Sequence, residues 1–279
     1  MISTYPVSHG AMARSLAAWL LAGVALLTLA GCAMTPGGAG STGTRADLPT
    51  ESDESDLRKR ARIRLELAVS YFEEGQTTIA LDELKQALAT DPNFSEAFNM
   101  RGLIYLRLND FLLAEQSFRR ALVLSPGDSN VLHNFGWLYC QQVRFAEATQ
   151  MFTQALANPQ YVERPKTLMT QGLCQIRAGQ RAEAEASLLR SYELDAANPI
   201  TGYNLANLLY LRGENERAQF LIRRINNSEL ANSESLWLGI KVERRLGNNE
   251  GAEQLATQLR KRFALSRQAA LLDRGAFDE

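Results

Sequence analysis

The feature that most constrains this chain is a spacing. Alanines embedded in helical apolar patterns stand at Ala80, Ala114, Ala148, Ala184, Ala218 and Ala252, separated by 34, 34, 36, 34 and 34 residues. Twelve residues before each stand Ala68, Gly102, Gly136, Gly172, Ala206 and Ile240, five of the six small. A period of this size calls for one supersecondary unit used repeatedly, each copy burying its apolar face against the next.

Aromatic residues follow the small position by one turn at Tyr71, Tyr105 and Tyr139, and Pro92 and Pro126 close the first two units, with Pro159 near the third site. This pattern resembles the tetratricopeptide repeat. It implies an all-α fold: a right-handed superhelical solenoid of six helix pairs at 61–94, 95–128, 129–164, 165–198, 199–232 and 233–266, then a C-terminal capping helix near 266–272. Gly102 and Ala114 let helices A and B approach, Tyr105 and Phe118 fill the space around them, and Pro126 stops the helix. Gly136, Tyr139, Ala148 and Phe152 repeat the arrangement, and Gly172, Ala184 and Ala218 carry it less completely into units four and five. In the sixth, Leu238-Gly239 stands one residue out of register with Ala252. The two extra residues between units three and four map to the stretch 158–165, read as a loop that bulges or offsets the superhelix.

The N-terminus reads differently. Arg14 precedes fifteen uncharged residues, 16–30, which end in Leu29-Ala30-Gly31-Cys32. The run is shorter than the ~20 residues of a spanning helix, so 1–31 reads as a signal peptide. Leu-Ala-Gly-Cys resembles a bacterial lipobox, which implies acyl chains on Cys32 and an anchored rather than spanning protein. By the same resemblance, to Gram-negative lipoproteins, Ala33 in place of Asp implies sorting to the outer membrane, on its periplasmic face. Residues 32–56 are rich in Gly, Ser, Thr and Pro, with acids from Asp47 to Asp56, and read as a flexible tether before a repeat domain at 57–279. A formal GxGxxG match at 38–43 has neither a strand before it nor a helix after it, which excludes the dinucleotide reading.

In this repeat, positions 2, 5, 9, 12 and 13 of helix A face the concave groove. They place Leu65, Val69 and Phe72 there from unit one, Asn99, Leu103 and Leu106 from unit two, His133 and Trp137 from unit three, Met169 from unit four, Tyr203, Asn207 and Tyr210 from unit five, and Trp237 from unit six. Aromatic anchors beside adaptable amides suit a peptide segment. Position 5 of the first three units reads Leu65, Asn99 and His133, so the Lys/Asn clamp that holds a partner's C-terminal carboxylate is absent.

Composition narrows the function further. With 30 Lys+Arg against 31 Asp+Glu there is no basic field to condense on nucleic acid. Of two histidines, His9 falls in the leader, leaving His133 as the one imidazole of the mature chain, which excludes a two-His zinc site. No GxSxG or HExxH accompanies it, so His133 reads as a groove residue, and the chain as a non-enzyme without cofactor, metal or small-molecule substrate. The cluster Arg58, Lys59, Arg60, Arg62 and Arg64 reads as a solvated helix start. Cys140 and Cys174 lie on helix A of consecutive units in a compartment that permits disulfides; they read as small buried groups, with their pairing left open.

Several segments carry a more specific resemblance: the stretch 93–103, Asn134-Phe135-Gly136-Trp137-Leu138-Tyr139-Cys140, Tyr203-Asn204-Leu205-Ala206 and Ser235-Leu236-Trp237-Leu238-Gly239-Ile240. Together with the lipobox and six units, they are similar to the type IV pilus biogenesis/stability lipoproteins, the PilF/PilW family. That resemblance implies a pilotin, which holds the pilus secretin subunit at the outer membrane and promotes its multimerisation, with Phe72, His133 and Trp137 as leading contacts. The alternative reading is a lipoprotein adaptor for another envelope complex: a protease, a cell-wall hydrolase or the outer-membrane insertion machinery.

Overall fold

The structure, a computed structural model, describes residues 54–278. The expectations for 1–31, for Cys32 and for most of the tether lie outside the described residues. Within them the chain forms thirteen helices and no strand. Six pairs follow in order: α1 (Asp56–Glu73) with α2 (Thr77–Thr90), α3 (Ser95–Arg107) with α4 (Phe111–Leu124), α5 (Ser129–Gln141) with α6 (Phe145–Ala157), α7 (Arg164–Arg177) with α8 (Arg181–Leu194), α9 (Pro199–Leu211) with α10 (Asn215–Asn226), and α11 (Ser233–Arg245) with α12 (Asn249–Arg262). A short α13 (Arg267–Asp273), capped by the Ser266 hydroxyl, packs on α11 and α12.

The odd-numbered helices, A in each unit, touch the A helices of neighbouring units, whereas among the described residues no B helix touches another B helix. Helices A therefore form the inner layer of a curved stack and helices B the outer one.

Three periodic devices build the units. The first is size complementarity across each pair. A Cβ on Gly102 would lie 2.5 Å from the Phe118 ring, one on Gly136 2.7 Å from Phe152, and one on Gly172 2.7 Å from Leu188. The partner always stands sixteen residues on, and the column continues as Ala68 with Leu84 and Ala206 with Ile222, all four at most marginally exposed. In unit six the sizes exchange, with Ile240 and Ala256 buried in one cluster. Gly239, which looked out of register, has its own reason: a Cβ there would meet Asn226 Nδ2 at 2.5 Å.

The second device is the turn from A to B. Gly75, Asn109, Val143, Gly179, Gly213 and Gly247 all have positive φ and fall on the same period as the alanines. Each closes a Schellman-type end, as in Gly179 N–H to Ile176 O at 3.0 Å and Gln180 N–H to Gln175 O at 2.9 Å. Val143 is the exception in chemistry, a β-branched residue at φ 62°.

The third is a serine that satisfies an orphan carbonyl at the end of helix B. Ser95 Oγ donates to Ala121 O and Ser129 Oγ to Ala155 O, both at 3.0 Å. Unit four begins with Pro165, which has no hydroxyl, and the bond reverses: Ser191 Oγ on α8 donates to Pro165 O at 2.8 Å.

Three sequence readings change. Helix α1 starts five residues before Ala61, because Ser55 accepts from Arg58 N–H and caps it. The basic cluster on it is more than a solvated start. Arg58 pairs with Asp91, Arg62 with Glu54, and Arg64 with Glu83 at 2.8 Å, while Arg58 also lies 4.5 Å over the Phe94 ring. Cys140 and Cys174 are joined as a disulfide: the neighbouring helices α5 and α7 bring their Cα atoms to 5.8 Å, although Ile176, not Cys174, holds the position equivalent to Cys140.

Candidate functional site: the inner face of the A helices

The stacking of A helices puts one column of side chains on the inner layer. Nine of the thirteen expected groove residues are half-buried there: Leu65, Val69, Phe72, Asn99, Leu103, Trp137, Met169, Tyr203 and Asn207. Neighbouring units also support one another across this layer. Asn134 donates its side-chain amide to Asn99 Oδ1 at 3.0 Å, and Arg107 lies 4.9 Å over the Phe72 ring while donating to Phe72 O at 3.1 Å. Burial holds the Tyr203 phenol above its ordinary pKa, so it stays protonated and offers a donor at neutral pH.

Four expected groove residues are buried instead, each for an identifiable reason. His133 is 7% exposed. The six-residue turn after α6 absorbs the two extra residues of unit three and buries Tyr161 beside Leu132 and Ala155. Thr167, on the next helix A, donates to Tyr161 Oη at 3.2 Å, so its oxygen accepts from the Nδ1–H of His133 at 2.8 Å. Burial, with Lys166 nearby, pushes the His133 pKa down to about 4, and the ring is neutral. His133 is thus a link between units three and four rather than a groove residue.

Trp237 is covered by the chain's own end. The Phe277 ring stacks on it with centroids 5.2 Å apart, and Arg244 lies 3.8 Å over Phe277. Tyr210 sits beneath the cations of Lys241 and Arg245, 5.5 and 5.2 Å from its ring. Leu106 belongs to the core shared by units two and three.

The repeat-packing residues sit where their sizes require. Ala114, Ala148, Ala184 and Ala218 have no exposure, and Gly102, Gly136 and Gly172 face the large side chains named above. Tyr139 is buried, stacked on Phe135 at 4.4 Å, with Arg144 4.0 Å over its ring, whereas Tyr105 stays partly exposed. What remains on the inner face is an apolar, aromatic strip from α1 to α9 punctuated by amides, the chemistry of a surface that takes up a protein segment.

Comparison with known proteins agrees with this architecture. Residues 65–129 match the tetratricopeptide repeat family TPR_16. The type IV pilus assembly protein PilF of Pseudomonas aeruginosa is 25% identical over 226 residues, covering 81% of this chain and 88% of that protein. The crystal structure of PilW, a widely conserved type IV pilus biogenesis factor, superposes with a TM-score of 0.69 at 29% identity, covering 76% of this chain and 97% of that one. A structure of Pseudomonas aeruginosa PilF gives a TM-score of 0.73 at 24% identity over 79% of this chain and all of that one. The chain therefore carries a tetratricopeptide-repeat domain, is homologous to PilF along most of its length, and is similar in fold to PilW.

Proposed function

We propose that this protein is a pilotin for type IV pilus biogenesis: a periplasmic array, anchored to the outer membrane through acyl chains on Cys32, that binds the pilus secretin and promotes its multimerisation. The observation that carries this reading is homology along most of the chain to a pilus assembly protein, joined to an inner face suited to a protein segment. A secretin subunit in transit exposes surface that would aggregate, and an apolar strip can cover it. The anchor then concentrates bound subunits at one bilayer, which favours their assembly. His133, being buried, leaves the set of contacts, and Phe72 and Trp137 remain.

Two variants separate the parts of this proposal. Cys32→Ser should release the protein from the outer membrane and reduce or displace secretin multimers. Trp137→Ala should lower multimers while the protein stays folded and anchored; unchanged multimers would reject this surface as the secretin contact. Recovery of proteases, hydrolases or insertion machinery in place of secretin from solubilised envelope would favour an adaptor for another complex.

A further inference from the structure

A second surface lies on the other side of helix α3. Arg101 stands two residues after Asn99, about 200° around the helix, so it points away from the inner face. It lines a cleft of about 550 Å³ between α2 and α3, walled by Leu81, Leu88 and Tyr105, with Lys85 beside it.

Reading the Arg101 position down the array gives Leu67, Arg101, Phe135, Gln171, Leu205 and Gly239, so unit two alone has a charge there. The equivalent cleft three units on is lined by Leu189, Tyr192, Leu205 and Leu209 and carries no cation at the positions of Lys85 and Arg101. Between α4 and α5 the corresponding space is occupied by the Phe135 and Tyr139 stack.

The Arg101 guanidinium is half-buried, and among the described residues it has no carboxylate partner. Its Nε–H donates to Ser117 Oγ at 3.0 Å, and its plane lies 4.7 Å over the Phe98 ring. Those contacts fix its direction and leave the Nη donors for another acceptor. Asp82 also lines the cleft and accepts from Gln86 at 3.0 Å. Burial without a counter-charge makes the protonated form less favourable, as the lowered Arg101 pKa reflects. A charge kept in this condition is costly unless something compensates it.

We propose that the α2/α3 cleft binds an acidic segment of a protein partner, a carboxylate side chain pairing with the Nη donors of Arg101 beside Lys85 while an adjacent apolar side chain packs on Leu81 and Leu88. Arginine's planar fork suits a carboxylate in two-point contact, and the apolar walls select a peptide over a bare anion. This inference does not depend on which partner occupies the inner face.

The test uses the full chain in detergent and a fluorescein-labelled, acetylated Leu-Asp-Leu peptide with its Leu-Asn-Leu counterpart, read by anisotropy. The Asp peptide should bind at least tenfold more tightly, and Arg101→Leu should abolish that preference. Leucine occupies the same position at Leu205, so the variant should fold, which its thermal transition checks. Arg101→Lys should retain part of the preference. Equal binding of the two peptides, no binding of the Asp peptide at millimolar concentration, or an undiminished preference in Arg101→Leu would overturn the proposal. So would Arg101-dependent binding to phosphatidylglycerol vesicles without peptide discrimination, which would assign the site to lipid phosphate.

Discussion

In unit three the small residue is on helix A and the large one on helix B, Gly136 against Phe152; in unit six Ile240 and Ala256 exchange those sizes. The polar seams differ in the same way. Before unit three, Glu115 accepts from Arg144 at 2.9 Å and lies 3.5 Å from Tyr139 Oη, with Arg119 paired to it. The equivalent residues before unit six are Gln219, Asn248, Glu243 and Arg223, and the carboxylate has moved from helix B to helix A. Glu243 is 1% exposed and accepts from Arg223 at 2.7 Å, Gln219 at 2.8 Å and Asn248 at 2.7 Å. Desolvation alone would raise the Glu243 pKa, but the three donors and the Arg223 charge together hold it below the usual carboxylate range. Between these two units the array preserves summed volume across the helix pair and matched polarity at the seam before it, not the identity of the residue supplying them.

Violating the volume match within a helix pair should have the largest effect. Gly136→Leu should cost ~3 kcal/mol or more by overpacking against Phe152. In unit six, Ala256→Phe alone should destabilise, whereas adding Ile240→Gly should recover much of the loss, giving a favourable coupling in a double-mutant cycle. Additive losses would mean the exchange of sizes is not compensatory.

Position 5 sharpens the contrast next. Units three and six both bury this residue, His133 behind Thr167 and Trp237 behind Phe277. A histidine whose folded pKa is about 4, against an ordinary 6.5, contributes stability that is fully present above 6.5 and is lost as pH falls from there to about 4. That window should carry on the order of 3 kcal/mol, and a His133→Gln variant should flatten it in pH-dependent urea unfolding.

A smaller effect follows from the seam charges. Arg223→Met should cost ~1–2 kcal/mol, less than breaking a fully buried pair because Arg223 is half-exposed and Gln219 and Asn248 remain. The part of stability owed to Glu243 should be present above the ordinary carboxylate range and disappear as pH drops through its lowered folded value.

The smallest effect is at the turns, where Val143 of unit three stands in the place of Gly247 of unit six. Val143→Gly should raise stability by ~0.5–1 kcal/mol, since relief of left-handed strain outweighs the added freedom of the unfolded chain. A decrease in the thermal midpoint would contradict it.

These contrasts explain how far the sequence could be read. Gly102, Gly136 and the six alanines carried their period openly, because only small residues allow the helices to approach there. The burial of His133 was hidden, since its cover comes from Tyr161 and Thr167, which the longer spacing of unit three brings over it. Trp237 looked like its counterparts, but the chain's end supplies Phe277 only to the last unit. Pairing of Cys140 with Cys174 depends on the separation and rotation of two A helices, and the 36-residue step between units three and four puts the cysteines two positions out of register, so the period does not announce it. A column-by-column reading of the units would have exposed Val143, and Arg101 as well.

The proposed secretin contact is the inner face of the A helices. Its most direct measurement is the equilibrium affinity of the full chain in detergent for purified secretin subunits, with and without Trp137→Ala. The account predicts saturable binding that Trp137→Ala weakens at least tenfold at an unchanged thermal midpoint. Equal affinity of the two proteins, or no binding by either, would contradict it.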